Sequence, residues 1–285
     1  MADPGGTVLT PGGTDSWNLQ VWQRTIEPAT YQRMQFIPTI DQGPRPYDIL
    51  NIRKHGRASS TTLGQSAEGH TLTASDITAT TVTVSAAGNY VMVAWSANEE
   101  AQTEVNLDAE ARGNIEQALA ESTDESALTN VASLTQTMSQ ASVDLSMYRK
   151  ALGRLMGNTN GMFAPGETPN IYGIFTHKQY PSLMDIPELT NAEVRGDSEN
   201  PQVKGIWARG SGTTLKMSTV IENDANGDHN CLYVPSAFVV AWNVRSMIKN
   251  QEEELMSRVI VFNNLGTNVK HDLRAIDLRT TASAL

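Results

Sequence analysis

The 285-residue chain has one cysteine, Cys231, which excludes an internal disulfide framework and any cysteine-based zinc site. Long apolar runs are missing too. No stretch approaches the roughly 18 consecutive apolar residues of a membrane helix, so no membrane partner is expected. The opening residues Met1-Ala-Asp-Pro-Gly-Gly offer neither the basic nor the apolar region of a secretory signal. Clustered basic residues are also scarce. The formal net charge is −10, and residues 61–145 alone carry twelve acidic side chains against Arg112. Residues 1–60 hold six basic and five acidic side chains, and residues 146–285 hold fourteen of each. Reading a DNA groove needs clustered Lys and Arg, so sequence-specific DNA binding is a poor reading; a surface that does not adhere to polyanions is a better one.

Signatures of pocket chemistry are equally sparse. There is no phosphate-binding G-x-x-x-x-G-K-[ST], no dinucleotide glycine pattern after a strand and no G-x-S-x-G elbow. The five histidines (His55, His70, His177, His229, His271) are scattered, with no H-E-x-x-H pair. The segment Glu222-Asn-Asp224-Ala-Asn226-Gly227 superficially resembles a calcium loop. It begins on Glu rather than Asp and has Tyr233 where the bidentate Glu belongs, so a hairpin turn is expected there. Glu252-Glu253-Glu254 reads as a solvated turn. Cys231 lies among apolar residues and reads as a buried small side chain. His177 follows a strand and opens a helix, which suits a capping or packing role. No catalytic residue, cofactor or metal is expected.

What is present is extended chain. Apolar residues make up 39%, and with the 21 glycines this reaches the level of an ordinary globular protein. Residues 1–46 are punctuated by six prolines, which prevents long helices and central strands. Yet Trp17, Trp22, Tyr31 and Phe36 also lie here, and a flexible tail would not carry them. The segment reads as an arm whose aromatics dock on its own body or on another subunit. Residues 47–63 begin as a strand, 64–76 form a loop, and 77–95 (ITATTVTVSAAGNYVMVAW) have strand composition. Two arms of about 17 residues would make a ribbon of roughly 55 Å. Such a ribbon is marginal alone and needs a neighbour to lie on. Its tip carries Arg53, Lys54 and Arg57.

Residues 98–130 predict a long helix, with Asn98 as N-cap and an apolar stripe of Leu107, Ala111, Ile115, Ala118, Leu119 and Ser122. Glu104, Asp108, Glu116 and their acidic neighbours fall outside the stripe, so a long acidic face is expected. Gly113 within it suggests close approach of another element. Residues 143–157 predict a second helix capped by Gly157. Residues 170–176 read as a buried strand, and His177–Asp185 as a short helix ended by Pro187. Residues 190–212 read as a loop anchored by Trp207. Residues 213–222 and 230–234 bracket the expected hairpin turn. Residues 235–248 are ambiguous between strand and helix; 258–262 and 268–279 read as strands. Strands and helices mix without βαβ rhythm, which indicates an α+β fold.

In order, these are an arm, a long two-stranded loop, an acidic helix, a mixed lobe and returning strands. The run Leu152-Gly153-Arg154-Leu155-Met156-Gly157-Asn158-Thr159-Asn160-Gly161 and the strand-helix run Ile171 to Pro181 resemble the axial lobe of tailed-bacteriophage major capsid proteins. The element order resembles their Hong Kong 97-type capsid fold over nearly the whole chain. The resemblance implies an N-arm (1–46), an E-loop over a neighbouring subunit (47–95) and a P domain with its spine helix (96–139). It further implies an A domain (140–245) and C-terminal strands returning to the P domain (246–285). It implies a virion shell of hexamers and pentamers around double-stranded DNA, assembled in the host cytoplasm. A portal, a separate scaffolding protein and a decoration protein are its expected partners. Trp17, Trp22, Tyr31, Phe36, Arg53, Lys54 and Arg57 are then candidate inter-subunit contacts, and Glu104, Asp108 and Glu116 a candidate acidic inner face. An encapsulin-like compartment and a soluble enzyme with an unrecognised site are the alternatives.

Overall fold

A computed structural model describes residues 29–43, 49–55, 79–96, 107–159, 170–186, 207–210, 213–251 and 256–281. Three sheets and two substantial helices organise them. The first sheet has the order β1 (Asp41–Gln42), β11 (Phe238–Gln251), β12 (Met256–Val269), β4 (Ala87–Ser96). Its centre is a long antiparallel ladder that runs from Phe238↔Val269 to Gln251↔Met256. The ambiguous segment 235–248 is therefore a short 3-10 turn followed by strand. Its β-branched content and the facing β12 decide the matter, because only an extended chain completes that ladder.

The second sheet comprises β5 (Thr137–Gln140), β13 (Ala275–Thr280), β10 (Gly227–Tyr233), β6 (Ile171–Thr176), β8 (Thr213–Ser218) and β7 (Trp207–Gly210), in that order. Strand β9 (Asn223–Asp224) pairs with the start of β10. β6 is buried on both faces, as its unbroken apolar run IYGIFT requires. Gly173 has no room for a side chain, since a Cβ there would sit 2.5 Å from Leu215 Cδ2 and 2.8 Å from Leu232 Cδ2.

The third sheet is the ribbon of β2 (Ile49–His55) and β3 (Ala79–Ser85), paired from Ile49↔Ser85 to His55↔Ala79. The expected second arm of the ribbon breaks at Ala86. Beyond it, β4 leaves the ribbon and pairs with β12. One chain segment thus serves two sheets, and Gly266 of β12 lets the ribbon base come close, with its Cβ position 2.7 Å from Val84 Cγ1.

Helix α1 (Leu107–Leu128) packs its predicted stripe, with Ala111, Ile115 and Leu119 all buried. Val261 faces Ile115 and Leu119, with Val91, Val93 and Trp242 around them. The expected N-cap Asn98 lies outside the described residues. Gly113 does not mark a close approach: a Cβ there would meet nothing within 4 Å. Helix α2 (Leu145–Thr159) runs through Gly157, which is therefore not its cap. At its start Asp144 caps it, accepting the Met147 N–H at 2.6 Å. Val143, Met147, Ala151 and Leu155 press on Phe175, Leu215, Leu232 and Leu278 of the second sheet. His177–Gln179 and α3 (Tyr180–Met184) form the expected short helical piece.

Three further expectations change. Trp207 opens a strand rather than anchoring a loop. The hairpin joins β9 to β10, not residues 213–222 to 230–234, because β8 pairs in parallel with β6. Residues 268–279 are not one strand: β12 ends at Val269, a 3-10 turn spans Asp272–Arg274, and β13 follows. β13 lies between β5 and β10, so the last strand joins the lobe sheet instead of the sheet under α1. The implied boundary between 245 and 246 falls inside β11.

Candidate assembly surfaces

The end of the N-terminal arm is clipped to the body. Residues 29–33 are helical, and beyond them the chain crosses α1. Asp124 of α1 is buried and receives three consecutive backbone N–H groups: Gln35 at 2.5 Å, Phe36 at 3.2 Å and Ile37 at 3.1 Å. Burial pushes its carboxyl above the usual range, partly countered by those three donors. Lys216 of β8 donates to the Gln35 carbonyl at 3.0 Å. Burial lowers the Lys216 ammonium, and Asp124 opposes that shift. Arg33 pairs with Glu116 at 3.2 Å. Lys270 pairs with Asp41 at 2.9 Å, where β1 adds to the edge of β11.

Aromatic packing reinforces the clip. Phe36 is fully buried, edge-on to Tyr233 and Phe238 at 5.1 and 5.3 Å between ring centroids. Tyr31 stacks on Trp242 at 5.9 Å and 7° between planes. Thr39 Oγ1 meets the Tyr233 hydroxyl at 2.6 Å, which satisfies an otherwise buried phenol.

These positions revise the expected sites. Phe36 is spent on its own chain and offers nothing to a neighbour. Tyr31 docks on its own chain too, and is half-buried there. Glu116 is buried and paired with the arm, so it does not belong to an open acidic face. Glu110, Glu121 and Glu125 of α1 are exposed. Arg53 and Lys54 lie on β2, in register with Thr81 and Thr80. Asp108 lies in the first turn of α1. Trp17, Trp22, Arg57, Glu104, the 64–76 loop and Glu252–Glu254 lie outside the described residues.

Sequence reasoning missed an apolar outer face on the first sheet. Val91 and Val93 turn towards α1, so the alternate residues of β4 face away. There Tyr90 and Met92 are 69% and 52% exposed, and Phe262 of β12 lies beside Tyr90 at 6.5 Å. β4 is also the edge strand of its sheet among the described residues, which leaves one row of backbone groups open to pairing. The signal for this face was the alternation of large residues in NYVMVAW, which marks both faces of a strand as apolar.

A polar cluster holds the end of the second sheet. His229 Nδ1 lies 2.9 Å from Asp277 Oδ2, and Arg279 Nε donates to the same oxygen at 2.7 Å. His229 Nε2 lies 3.1 Å from Asp224 Oδ1. Asp224 also accepts from the Asn226 backbone N–H at 2.6 Å and its Nδ2 at 2.9 Å, which closes the hairpin turn. The calcium-like loop is therefore a turn whose carboxylate is internally engaged. Among the described residues no group of three or more His, Cys, Asp or Glu side chains is placed to hold a metal ion. Among them also, no helix is long and apolar enough to cross a membrane. Cys231 is buried in the core, and burial pushes its thiol well up.

No family profile matches the chain, and no curated protein does. Solved structures do. A structure from Mycobacterium phage Che8 is 15% identical over 89% of this chain and 92% of its own, with a TM-score of 0.64. The capsid of Ralstonia phage GP4 is 12% identical over 86% and 87%, at 0.67. A virus-like particle from Pyrococcus furiosus is 10% identical over 92% and 99%, at 0.61. The chain has the α+β fold of these structures, as its element order led us to expect.

Proposed function

We propose that the chain is a major capsid protein, which assembles through hexamers and pentamers into an icosahedral shell around phage double-stranded DNA. The observation that carries this reading is a fold shared with phage capsid structures over nearly the whole length of both chains. The surfaces agree with it. Among the described residues, the ribbon of two strands meets the body at its base, and an apolar sheet face stands next to an open strand edge. Both are poor features for a monomer and good ones for repeated contacts. In a closed shell each contact recurs many times, so moderate interfaces of about 1,600 Å² sum to a durable particle.

Arg53, Lys54 and Arg57 of the ribbon, with Trp17 and Trp22 of the arm, are the contacts assigned to neighbouring subunits. Glu110, Glu121 and Glu125, exposed along one side of α1, form the face assigned to the DNA side, where like charge lets DNA move without adhering. A portal, a scaffolding protein and a decoration protein complete the expected partners, with assembly in the host cytoplasm. The likeness to the Pyrococcus virus-like particle supports a second reading, an encapsulin-like compartment with a protein cargo.

Electron microscopy and size-exclusion chromatography of the full chain test the proposal. Shells or capsomers are expected; a compact monomer or small enzyme-like oligomer overturns it. Nuclease-protected DNA within particles separates the phage shell from the compartment. Normal DNA packaging by shells carrying Glu110→Lys, Glu121→Lys and Glu125→Lys would remove the acidic-face assignment.

A further inference from the structure

The His229 cluster lies at the junction of the β9–β10 hairpin and the C-terminal strand β13. His229 is 1% exposed; its Nδ1 hydrogen-bonds Asp277 Oδ2 at 2.9 Å, whereas its Nε2 is buried without an aligned hydrogen-bond partner and lies 3.1 Å from Asp224 Oδ1. A neutral imidazole carries one N–H and one lone pair. Whichever tautomer it adopts, one nitrogen then turns a lone pair on a carboxylate. Only the doubly protonated ring turns an N–H and positive charge towards both carboxylates, so that the Nε2 side gains an attraction in place of a lone-pair repulsion. We propose that His229 is a proton-operated latch: protonated, it ties the hairpin tip at Asp224 to β13 at Asp277, and on losing its proton it releases the tip.

The surrounding charges favour this assignment of the moving part. On β13, Asp277 is fully buried and keeps a second pairing through Arg279 Nε at 2.7 Å, so it has no freedom to leave. Its Oδ1 is buried and has no hydrogen-bond partner, which makes an adjacent positive charge more valuable. On β9, Asp224 is 39% exposed at its side chain and can turn to water. Its bonds to Asn226 hold its carboxyl below the usual range, so it stays ionised throughout the relevant pH window. Within β10, Asp228 is neutralised by Lys178 at 2.9 Å, and the Cys231 thiol stays protonated in its buried site. Before β9, the Glu222 carbonyl accepts the His229 backbone N–H at 3.0 Å, while Glu222 Oε2 is buried without a hydrogen-bond partner. Burial alone would drive His229 towards its neutral form, but Asp277 and then Asp224 outweigh it, and its ordinary value of 6.5 is raised.

The sign follows. A histidine whose folded pKa exceeds its unfolded one stabilises the folded arrangement fully below about pH 6.5, and that contribution disappears as pH rises through the raised value. Each unit of difference changes the closed-to-open ratio tenfold.

The test is amide hydrogen exchange of the full chain, at about pH 6 and about pH 8.5, corrected for the intrinsic exchange rate at each pH. Amides of residues 223–229 should lose protection at the higher pH, relative to the core of α2. Asp224→Asn keeps an acceptor for the Asn226 turn on an exposed hairpin but removes the charge, and should abolish that difference. NMR of the His229 imidazole should place its midpoint above 6.5. Equal hairpin protection at both pH values, an unchanged pH dependence in Asp224→Asn, or a midpoint at or below about 6.5 would each overturn the latch. None of these readouts depends on whether the chain forms a shell.

Discussion

Asp124 Oδ2 lies 2.5 Å from the backbone nitrogen of Gln35, a residue 89 positions earlier in the chain. The two belong to α1 and to the arm that crosses it. A carboxylate has room for several donors, and here it takes three successive N–H groups at the point where the arm turns into the core. The arm ordered by this contact buries Phe36, a side chain whose full burial stabilises by about 2–3 kcal/mol.

Asp124→Ala should therefore loosen the arm. It would leave three N–H groups without their acceptor and Lys216 without its opposite charge. The expected loss is about 3 kcal/mol, measured by chemical denaturation, with the exchange of amides 35–37 rising before that of the second sheet. Asp124→Asn should cost less, since one amide oxygen remains, but its NH2 would face a donor. Equal stability of both variants and the wild type would show that the clip contributes nothing.

Glycine substitutions divide by their surroundings. Gly227 has φ of 108°, and a Cβ there would lie 2.3 Å from the Thr280 carbonyl oxygen. Gly227→Ala should destabilise by about 2 kcal/mol or more. Gly113 sits in the helix with open space around it, so Gly113→Ala should stabilise by about 0.8 kcal/mol. Thermal melts of the two variants should move in opposite directions.

Gly266 controls where the ribbon leaves the body. A side chain there meets Val84 Cγ1 at 2.7 Å and the Ser85 backbone oxygen at 3.0 Å. Gly266→Val should push the base of β3 outward while the ladder between β11 and β12 persists. The fluorescence and far-UV signature of the body should survive, and particles seen by sedimentation should be reduced in number or size.

Acid should fray α2 at its start. Asp144 is held below the usual carboxylate range, first by the Met147 N–H and then by the Gln140 amide. A carboxylate with a depressed folded pKa contributes stability above its unfolded value, near pH 4, and loses it as pH falls towards the folded one. Exchange of the amides at 146–148 should therefore rise on acidification in the wild type. In Asp144→Ala it should be high already at neutral pH and respond less.

Much of this fold was legible in the sequence because its signals are local. The spacing of Ala111, Ile115 and Leu119 marks one helix face, and the run Ile171–Thr176 can only be a covered strand. What was illegible depends on residues far apart. Glu116 and Asp124 share the polar side of a helix with solvated carboxylates, and periodicity cannot tell them from Glu121 or Glu125. Their burial comes from Arg33 and residues 35–37, which the topology lays across α1. The same holds for β13: its alternation predicts a strand, but Asp277 finds its place only once β10 lies beside it with His229. Gly113 misled for the opposite reason, since a glycine can be tolerated in open space as well as required in a tight one.

Stability and assembly should separate cleanly at two aromatic positions. Phe36 has no exposed surface and contacts Tyr233 and Phe238, whereas Tyr90 is 69% exposed on the outer sheet face. Phe36→Ala removes buried contacts and should cost about 3–4 kcal/mol in denaturation. Tyr90→Ser with Met92→Ser removes mostly exposed side chains and the Tyr90–Phe262 contact, and should cost about 1 kcal/mol of monomer stability, well below Phe36→Ala. If copies of the chain cover this face, the double variant should instead raise the concentration needed for assembly, measured by light scattering and sedimentation. Particles formed at the wild-type threshold would mean that the apolar face stays exposed in the shell, and would leave the ribbon and the arm as the contacts that hold subunits together.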